Sequence, residues 1–358
     1  MSASAAGYVP VHGDLPATLR RLAALRPGAP VLSLYLDLDP VEFPTPRARK
    51  SAITSLLDAA HRQVEAYETD HSSKESLRAD IQQARKFFDE WSPKGARGVS
   101  LFSATMAKFF EAIPLPRPTP MRAFIGDSPY VTPLVAAADT RDWLIVVVDA
   151  KNARLLHGNS ERVEEFERVK DSVAGQHETS GPTDHQRWVE HQIDQHLDHV
   201  AREVDAHLRE SDYRHIIVGG PPEIAPRFES MLSATARERL AGRFALDLHS
   251  ATPDAIRQAA LPCFEAHERR RERELLDRMT ERLGMGERAV AGAADVRDML
   301  VQRRAEVLLF EQGYEFADPA GIEWMVKEAL AQDAEVLPVR HFPEELAVLA
   351  HVAALLRF

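Results

Sequence analysis

The sequence WLIVVVDAKNARLLH, at residues 143–157, consists of two apolar runs separated by a polar tetrapeptide. Both runs have the composition of β-strands, and the residues Asp149-Ala150-Lys151-Asn152 between them are typical of a turn. The stretch therefore predicts a β-hairpin whose first strand is buried. Its longest apolar run, Trp143 to Val148, is far shorter than the roughly 20 residues that a membrane-spanning helix needs.

A long helix and two further strands are predicted after this hairpin. The helix is indicated by apolar residues that recur at one-turn spacing and so share one buried face. They are Val189, Ile193, Leu197, Val200, Val204 and Leu208. Residues 215–220 predict a buried strand that ends in a turn, and residues 243–249 predict another strand. The order of elements in this part of the chain is mixed α/β.

The part before the hairpin predicts another α/β arrangement. The apolar run Val31–Leu38 predicts a strand, and the prolines that follow it predict an exposed loop. Residues 47–91 contain no glycine and are rich in helix-forming residues, so they predict two helices with a break near Asp70. Further strands are expected at 98–102 and 109–113.

The last part predicts a long helix followed by a small α/β/α sandwich. Residues 252–283 are highly charged, and the interleaved signs are typical of a solvated helix between domains. The elements expected after it are a helix at 295–304, a strand at 306–310, a helix at 321–332, a strand at 335–340 and a last helix at 344–356. Three domains are therefore predicted, at 1–140, 141–265 and 266–358.

Composition excludes several classes of protein. The 358 residues include 44 basic and 55 acidic side chains, a formal charge of −11, and 44% are hydrophobic, which is enough for several cores. A disordered or fibrous chain is excluded. The single cysteine, Cys263, excludes an intramolecular disulfide framework and a cysteine-based metal cage. Because residues 1–8 have neither a basic region nor an apolar core, a cytoplasmic location is expected.

Histidines are concentrated around the long central helix. Seven of the 15 are His177, His185, His191, His196, His199, His207 and His215. On the helix, His196 and His207 flank the apolar face, whereas His191 points to nearly the opposite side. A zinc-binding helix needs ring nitrogens that converge. The spacing therefore predicts no metal site and no cofactor, and leaves these histidines partly exposed or facing RNA.

Two other motifs are explained by structure alone. Gly219-Gly220-Pro221-Pro222 lacks the lysine of a phosphate-binding loop and the three glycines of a dinucleotide site, so it predicts a tight strand-to-helix turn. Arg269-Arg270-Arg271 alternates with glutamates and predicts a solvated helix.

The segment 171–184 joins predicted β-structure to the long helix. It contains two glycines, Gly175 and Gly181, and no large apolar residue after Val173, so little anchors it in a core. An exposed loop is expected. Such a loop either only connects two elements or carries function.

Taken together, these segments resemble the bacterial relatives of the archaeal and eukaryotic class-one release factors and Pelota. The resemblance covers nearly the whole chain and depends on the order and spacing of short motifs. They are residues 32–40 with 43–46, residues 147–149 with 153–156, residues 186–190 and residues 353–358. The resemblance implies an α/β protein with a three-domain release-factor-like architecture, in which mixed-sheet domains end in an L7Ae-like α/β/α sandwich.

The resemblance also implies a tRNA-shaped protein that enters the ribosomal A site. Its first domain would approach the decoding centre, the loop 171–184 the peptidyl-transferase centre, and the third domain a translational GTPase such as elongation factor Tu. No membrane is involved. The implied rRNA-binding residues are Pro40, Phe43, Pro44, Thr45, Pro46, Arg47, Gly175, Gln176, His177, Gly181, His185 and Arg187.

The catalytic loop of that family is Gly-Gly-Gln, and this chain departs from it. The nearest match is Ala174-Gly175-Gln176, where alanine in a left-handed conformation costs about 1–2 kcal/mol. An alignment on the helix start at 186–187 instead places the two glycines near Ser180-Gly181, with no glutamine after them. Both alignments weaken the case for peptide release.

The resemblance therefore implies a non-catalytic A-site occupant, similar to bacterial ribosome hibernation factors. Two alternatives stay open. One is a peptidyl-tRNA hydrolase or ribosome-rescue factor in which Gln176 is catalytic. The other is a stress-response adaptor whose third domain binds a protein partner.

Overall fold

The described residues form three β-sheets with helices packed on their faces, so the predicted mixed α/β fold is confirmed. The structure is a computed structural model that describes residues 15–39, 42–92, 96–115, 118–138, 143–160, 162–171, 182–211, 213–314 and 316–358. The helices are α1 (Leu15–Ala24), α2 (Pro46–Ala66), α3 (His71–Glu90), α4 (Thr132–Ala138), α5 (Pro182–Glu210), α6 (Ala225–Met231), α7 (Ala234–Glu238), α8 (Pro253–Met285), α9 (Ala293–Val301), α10 (Pro319–Ala331) and α11 (Pro343–Val348).

The strands alternate with these helices along the chain. They are β1 (Val31–Asp37), β2 (Gly98–Ala104), β3 (Phe109–Leu115), β4 (Arg122–Gly126), β5 (Trp143–Val148), β6 (Asn152–Gly158), β7 (Val163–Lys170), β8 (His215–Gly220), β9 (Leu240–Ala245), β10 (Ala289–Ala291), β11 (Ala305–Glu311), β12 (Glu335–Val339) and β13 (Val352–Leu356). Among the described helices, none combines the length and the apolar character that crossing a membrane requires.

The chain divides into two compact units, residues 1–139 with 272–358 and residues 140–271. In the first unit, α1 and α4 share a hydrophobic cluster with α9 and α10, in which Leu22, Leu134, Leu300 and Val326 are fully buried. The first and third predicted domains each have a sheet of their own within this unit. The division into three domains stays a prediction.

The N-terminal sheet of the first unit has the order β3-β2-β1-β4 and is antiparallel throughout. Helices α2 and α3 pack their apolar residues against it. The predicted break between these helices is confirmed, because Asp70 caps α3 by accepting a hydrogen bond from the backbone N–H of Ser73 at 3.0 Å. A polar side chain of this type satisfies an N–H that the first turn of a helix leaves without a partner.

The C-terminal sheet has the order β10-β13-β11-β12, with only the β11–β12 pair parallel. Helices α9 and α10 cover one face, and α8 and α11 cover the other, so the predicted α/β/α sandwich is confirmed. The predicted last helix at 344–356 is wrong. Helix α11 ends at Val348, Ala350 and His351 adopt left-handed backbone angles, and β13 follows as an interior strand.

The central unit contains a sheet of order β7-β6-β5-β8-β9. The predicted hairpin is confirmed: β5 and β6 are antiparallel, and Asp149 Oδ1 accepts hydrogen bonds from the backbone N–H groups of Lys151 and Asn152, both at 2.7 Å. Helix α5 covers one face and the first half of α8 the other. The strand expected at 243–249 occurs earlier, as β9.

Helix α5 buries less of its predicted face than the sequence pattern indicates. Leu197, Val200 and Val204 are fully buried against the sheet, whereas Val189 is 37% exposed and Ile193 is only partly buried. Residues 186–191 of α5 are therefore largely exposed, and among the helix residues with described side chains full burial begins at His196.

Candidate functional site

Strand β7 is an edge strand that the sequence pattern does not predict, because five of its eight residues are charged. Val169 packs into the core beneath α5. Since side chains two positions apart share a face of a strand, Glu167 and Asp171 flank Val169 on the side of the helix. The two carboxylates thus face α5.

Helix α5 presents a row of polar side chains to these carboxylates. His196, His199, Glu203 and His207 follow one another at spacings of three or four residues, which places them on one side of the helix. We call these four residues, together with Glu167 and Asp171, the histidine–carboxylate face.

The carboxylate of Asp171 is hydrogen-bonded to two histidines of this face. Its Oδ2 lies 2.6 Å from His196 Nδ1, and its Oδ1 lies 3.0 Å from His199 Nδ1. Burial alone would raise the pKa of Asp171, but the hydrogen bonds from His196 and His199 outweigh it and hold this pKa below its usual value. The negative charge of Asp171 is therefore stabilised in the folded protein.

The contacts continue along the helix. His199 Nε2 lies 3.6 Å from Glu203 Oε1, and His207 Nε2 contacts Glu167 Oε2. His196 is 2% exposed, and among the described residues its Nε2 has no hydrogen-bond partner. The contacts thus form two neighbouring groups between β7 and α5, one of Asp171 with His196, His199 and Glu203, and one of Glu167 with His207.

Two of the remaining histidines of the sequence cluster lie away from this face. His191 is exposed and contacts Gln195, and the ring of His215 packs 4.8 Å from that of Trp143 in the central unit. His185 lies in α5 with its side chain outside the described part of the chain, and His177 lies outside the described residues altogether. The seven histidines therefore do not form one site.

The segment expected at the decoding end leads into α2. Phe43 is half-buried against the core beneath α2 and α3. Thr45 caps α2 by accepting a hydrogen bond from the backbone N–H of Ala48 at 3.1 Å, and Pro46 occupies the first helical position. Pro44, Thr45, Pro46 and Arg47 are exposed, and Pro40 lies outside the described residues. Part of this segment thus has a structural role.

The first turn of α2 is basic and contains no acidic residue. Arg47 and Lys50 are exposed and Arg49 is half-buried, and the structure gives none of the three an ion pair with a described residue. Cations at a helix N-terminus oppose the helix dipole, at a cost of about 0.3–1 kcal/mol each. We call these three residues the basic turn. Of these three residues, only Arg47 is expected from the sequence to bind rRNA, although all three lie within four consecutive positions.

Of the other expected rRNA-binding residues, Arg187 is the one whose side chain the structure describes. Arg187 is exposed on α5, in the central unit, whereas Phe43 to Arg47 belong to the first unit. Gly175, Gln176, His177 and Gly181 lie outside the described residues, so their expected contacts with rRNA, and the catalytic role of Gln176 in the alternative hypothesis, stay predictions.

Comparison with known proteins found no match among curated proteins. Among solved structures, the archaeal translation termination factor aRF1 is 19% identical over 98% of this chain and 99% of its own, with a TM-score of 0.29. Dom34 of S. cerevisiae, a translation termination-like factor, is 12% identical over 66% of this chain and 73% of its own, with a TM-score of 0.44.

Archaeal Pelota, from a model of ribosome-bound Pelota and ABCE1, is 17% identical over 60% of this chain and 61% of its own, with a TM-score of 0.45. Since all three TM-scores are below 0.5, these likenesses add nothing to the description of the fold. The family model for bacterial archaeo-eukaryotic release factor family 10 matches residues 129–265, so the central part of the chain is similar to that family.

Proposed function

We propose that this protein is a ribosome-binding translation factor that occupies the A site in place of a tRNA and does not catalyse peptide release. In this role it is a hibernation factor similar to Balon, acts in the cytoplasm, and binds together with a translational GTPase such as elongation factor Tu. The match of residues 129–265 to a release factor family supports the general class.

The observation that carries the proposal is the basic turn of α2. Arg47, Arg49 and Lys50 stand at a helix N-terminus without an acidic partner among the described residues. Phosphate groups bind favourably to Arg and Lys side chains and to the N–H groups of a helix N-terminus. An rRNA backbone is therefore a suitable ligand for this turn, even though the whole chain has a net charge of −11.

The exposed residues of α5 before His196 support the proposed contact of the loop 171–184 with the peptidyl-transferase centre. Residues 186, 187 and 189–191 are exposed, and full burial begins only at His196. At 1.5 Å per residue, the 14 positions from Pro182 to His196 correspond to about 20 Å of helix. A helix of that length is able to carry the segment that precedes it to a distant part of a binding partner. In this proposal that part is the peptidyl-transferase centre of the ribosome.

Co-sedimentation of the full-length protein with purified ribosomes over a range of salt concentrations tests the proposal. Wild type is expected to bind, and the double variant Arg47→Ala/Lys50→Ala to bind more weakly, with the slope of log affinity against log salt reduced by about 1.5 if each side chain contacts one phosphate. A matched control removes two exposed cations from α3, in Arg85→Ala/Lys86→Ala. No binding by wild type, or equal losses in both double variants, would contradict the proposal.

A further inference from the structure

Three side chains of the histidine–carboxylate face bring their polar atoms to one point. One ligand atom from each of Glu167, Glu203 and His207 lies within 4.8 Å of the other two. All three side chains are half-buried, so solvent can reach them. Two carboxylates and an imidazole are donor types that zinc binds in proteins.

The two carboxylates of this group need a positive charge close to them. Glu167 contacts His207, Glu203 contacts His199, and among the described residues neither carboxylate has an ion pair with Lys or Arg. Two carboxylates held together repel each other unless a positive charge lies between them. Here that charge comes either from a protonated histidine or from a bound metal ion.

The geometry needs little adjustment to hold a metal. Zinc forms bonds of about 2.0–2.2 Å to histidine nitrogen and carboxylate oxygen, so a tetrahedral centre places its ligand atoms about 3.4 Å apart. The three ligand atoms lie within 4.8 Å of one another, and the direct contact between Glu167 and His207 would open to that separation around a bound ion. A water molecule would complete the tetrahedron on the exposed side.

The neighbouring residues suit an outer layer around such a centre. His199 Nε2 lies 3.6 Å from Glu203, and its Nδ1 lies 3.0 Å from Asp171. The imidazole of His199 is held by Asp171 and in turn orients the carboxylate of Glu203. Groups beyond the direct ligands commonly orient the ligands of metal sites in this way.

We propose that Glu167, Glu203 and His207 bind one Zn²⁺ ion that joins β7 to α5. The site is structural, since the ion links an edge strand to the helix that covers it. It is also independent of ribosome binding. Two of the three ligand positions, Glu203 and His207, lie four apart on α5, but the third lies on β7 and joins them only when the strand packs beside the helix.

Isothermal titration calorimetry of the full-length protein, freed of metal with a chelator, tests the proposal with ZnCl₂ as the titrant. Wild type is expected to bind one equivalent of Zn²⁺ and to show a higher Tm with the ion present. Glu203→Gln is expected to weaken binding by at least about 10-fold. MgCl₂ is expected to give no saturable binding, since Mg²⁺ favours six oxygen ligands.

The matched control is His191→Gln, which changes an exposed histidine on another side of the same helix and should bind Zn²⁺ as wild type does. Among the described residues the one ion pair of Glu203 is with His199, so Glu203→Gln should fold normally, which circular dichroism checks. His207→Gln serves as a second ligand variant. No saturable Zn²⁺ binding by wild type, or binding that survives unchanged in both ligand variants, would overturn the proposal.

Discussion

Asp171 directly follows β7 and belongs to the histidine–carboxylate face. Its carboxylate accepts hydrogen bonds from two histidines that are three positions apart on α5. The distribution of histidines on the helix could be predicted from the sequence, because it depends only on helical spacing. Their shared partner could not be predicted, because Asp171 reaches them only when β7 packs beneath α5. The many charged residues of β7 give it no recognisable strand pattern in the sequence.

The pH dependence of stability tests this contact. A carboxylate whose pKa is lowered by folding stabilises the folded state at pH values above its unfolded pKa of about 3.9, and this contribution is lost as the pH falls through the folded pKa. Asp171→Asn is therefore expected to be less stable than wild type at pH 7, with a difference that shrinks below about pH 4.

Urea denaturation at neutral and acidic pH measures this difference. Asp198→Asn is the matched control, since Asp198 lies on α5 but is highly exposed and, within the described part of the chain, forms an ion pair only with Arg202. Such an exposed pair contributes little to stability, so this variant should follow wild type at both pH values. A constant difference between Asp171→Asn and wild type across the pH range would show that the Asp171 charge has no such role.

Strand β13 is an element that the local sequence pattern predicted wrongly, as part of a helix. Its five residues are all buried, and a short continuous apolar run fits a buried helix as well as a buried strand. The break between α2 and α3 could be predicted, because the cap at Asp70 depends on residues close in sequence. The interior position of β13 depends instead on pairing with β10 and β11, which no local pattern records.

Two valines distinguish the observed elements from a continuous C-terminal helix. Val348 is 85% exposed at the end of α11, whereas Val352 is 1% exposed in β13. Val352→Ala is expected to lower the free energy of unfolding by about 2 kcal/mol through lost burial and a cavity. Val348→Ala should change it by less than about 0.5 kcal/mol. In a continuous helix these residues, four apart, would share one face, so similar effects of the two substitutions on chemical denaturation would contradict β13.

The Gly219-Gly220 turn is explained by the backbone of β8. Gly220 has a φ of +157°, and a Cβ added there would lie 2.3 Å from the carbonyl oxygen of Val148. Gly220→Ala is therefore expected to destabilise the fold by about 2 kcal/mol or more. In α8, a Cβ at Gly284 meets nothing within 4 Å, and Gly284→Ala should stabilise the helix by up to about 1 kcal/mol. Equal thermal stability of the two variants would contradict this account of the turn.

At the scale of the whole molecule, sequence predicted the class of fold and the order of most elements. Patterns of period two and 3.6 are local, and they identified the hairpin, α5 and the C-terminal sandwich. The grouping of residues 1–139 with 272–358 into one unit depends on a hydrophobic cluster whose members are far apart in the chain. The net charge did not predict the basic turn, because a total of −11 says nothing about where positive charges cluster.

The most direct test of the central claim measures ribosome binding and peptide release in the same samples. Stalled ribosomes that carry a labelled peptidyl-tRNA are incubated with wild type or Gln176→Ala, and bound protein and released peptide are both quantified. The account predicts that both proteins co-sediment with ribosomes equally and that neither releases peptide above background. Release that requires Gln176 would make the protein a hydrolase, and a failure of wild type to co-sediment would contradict ribosome binding itself.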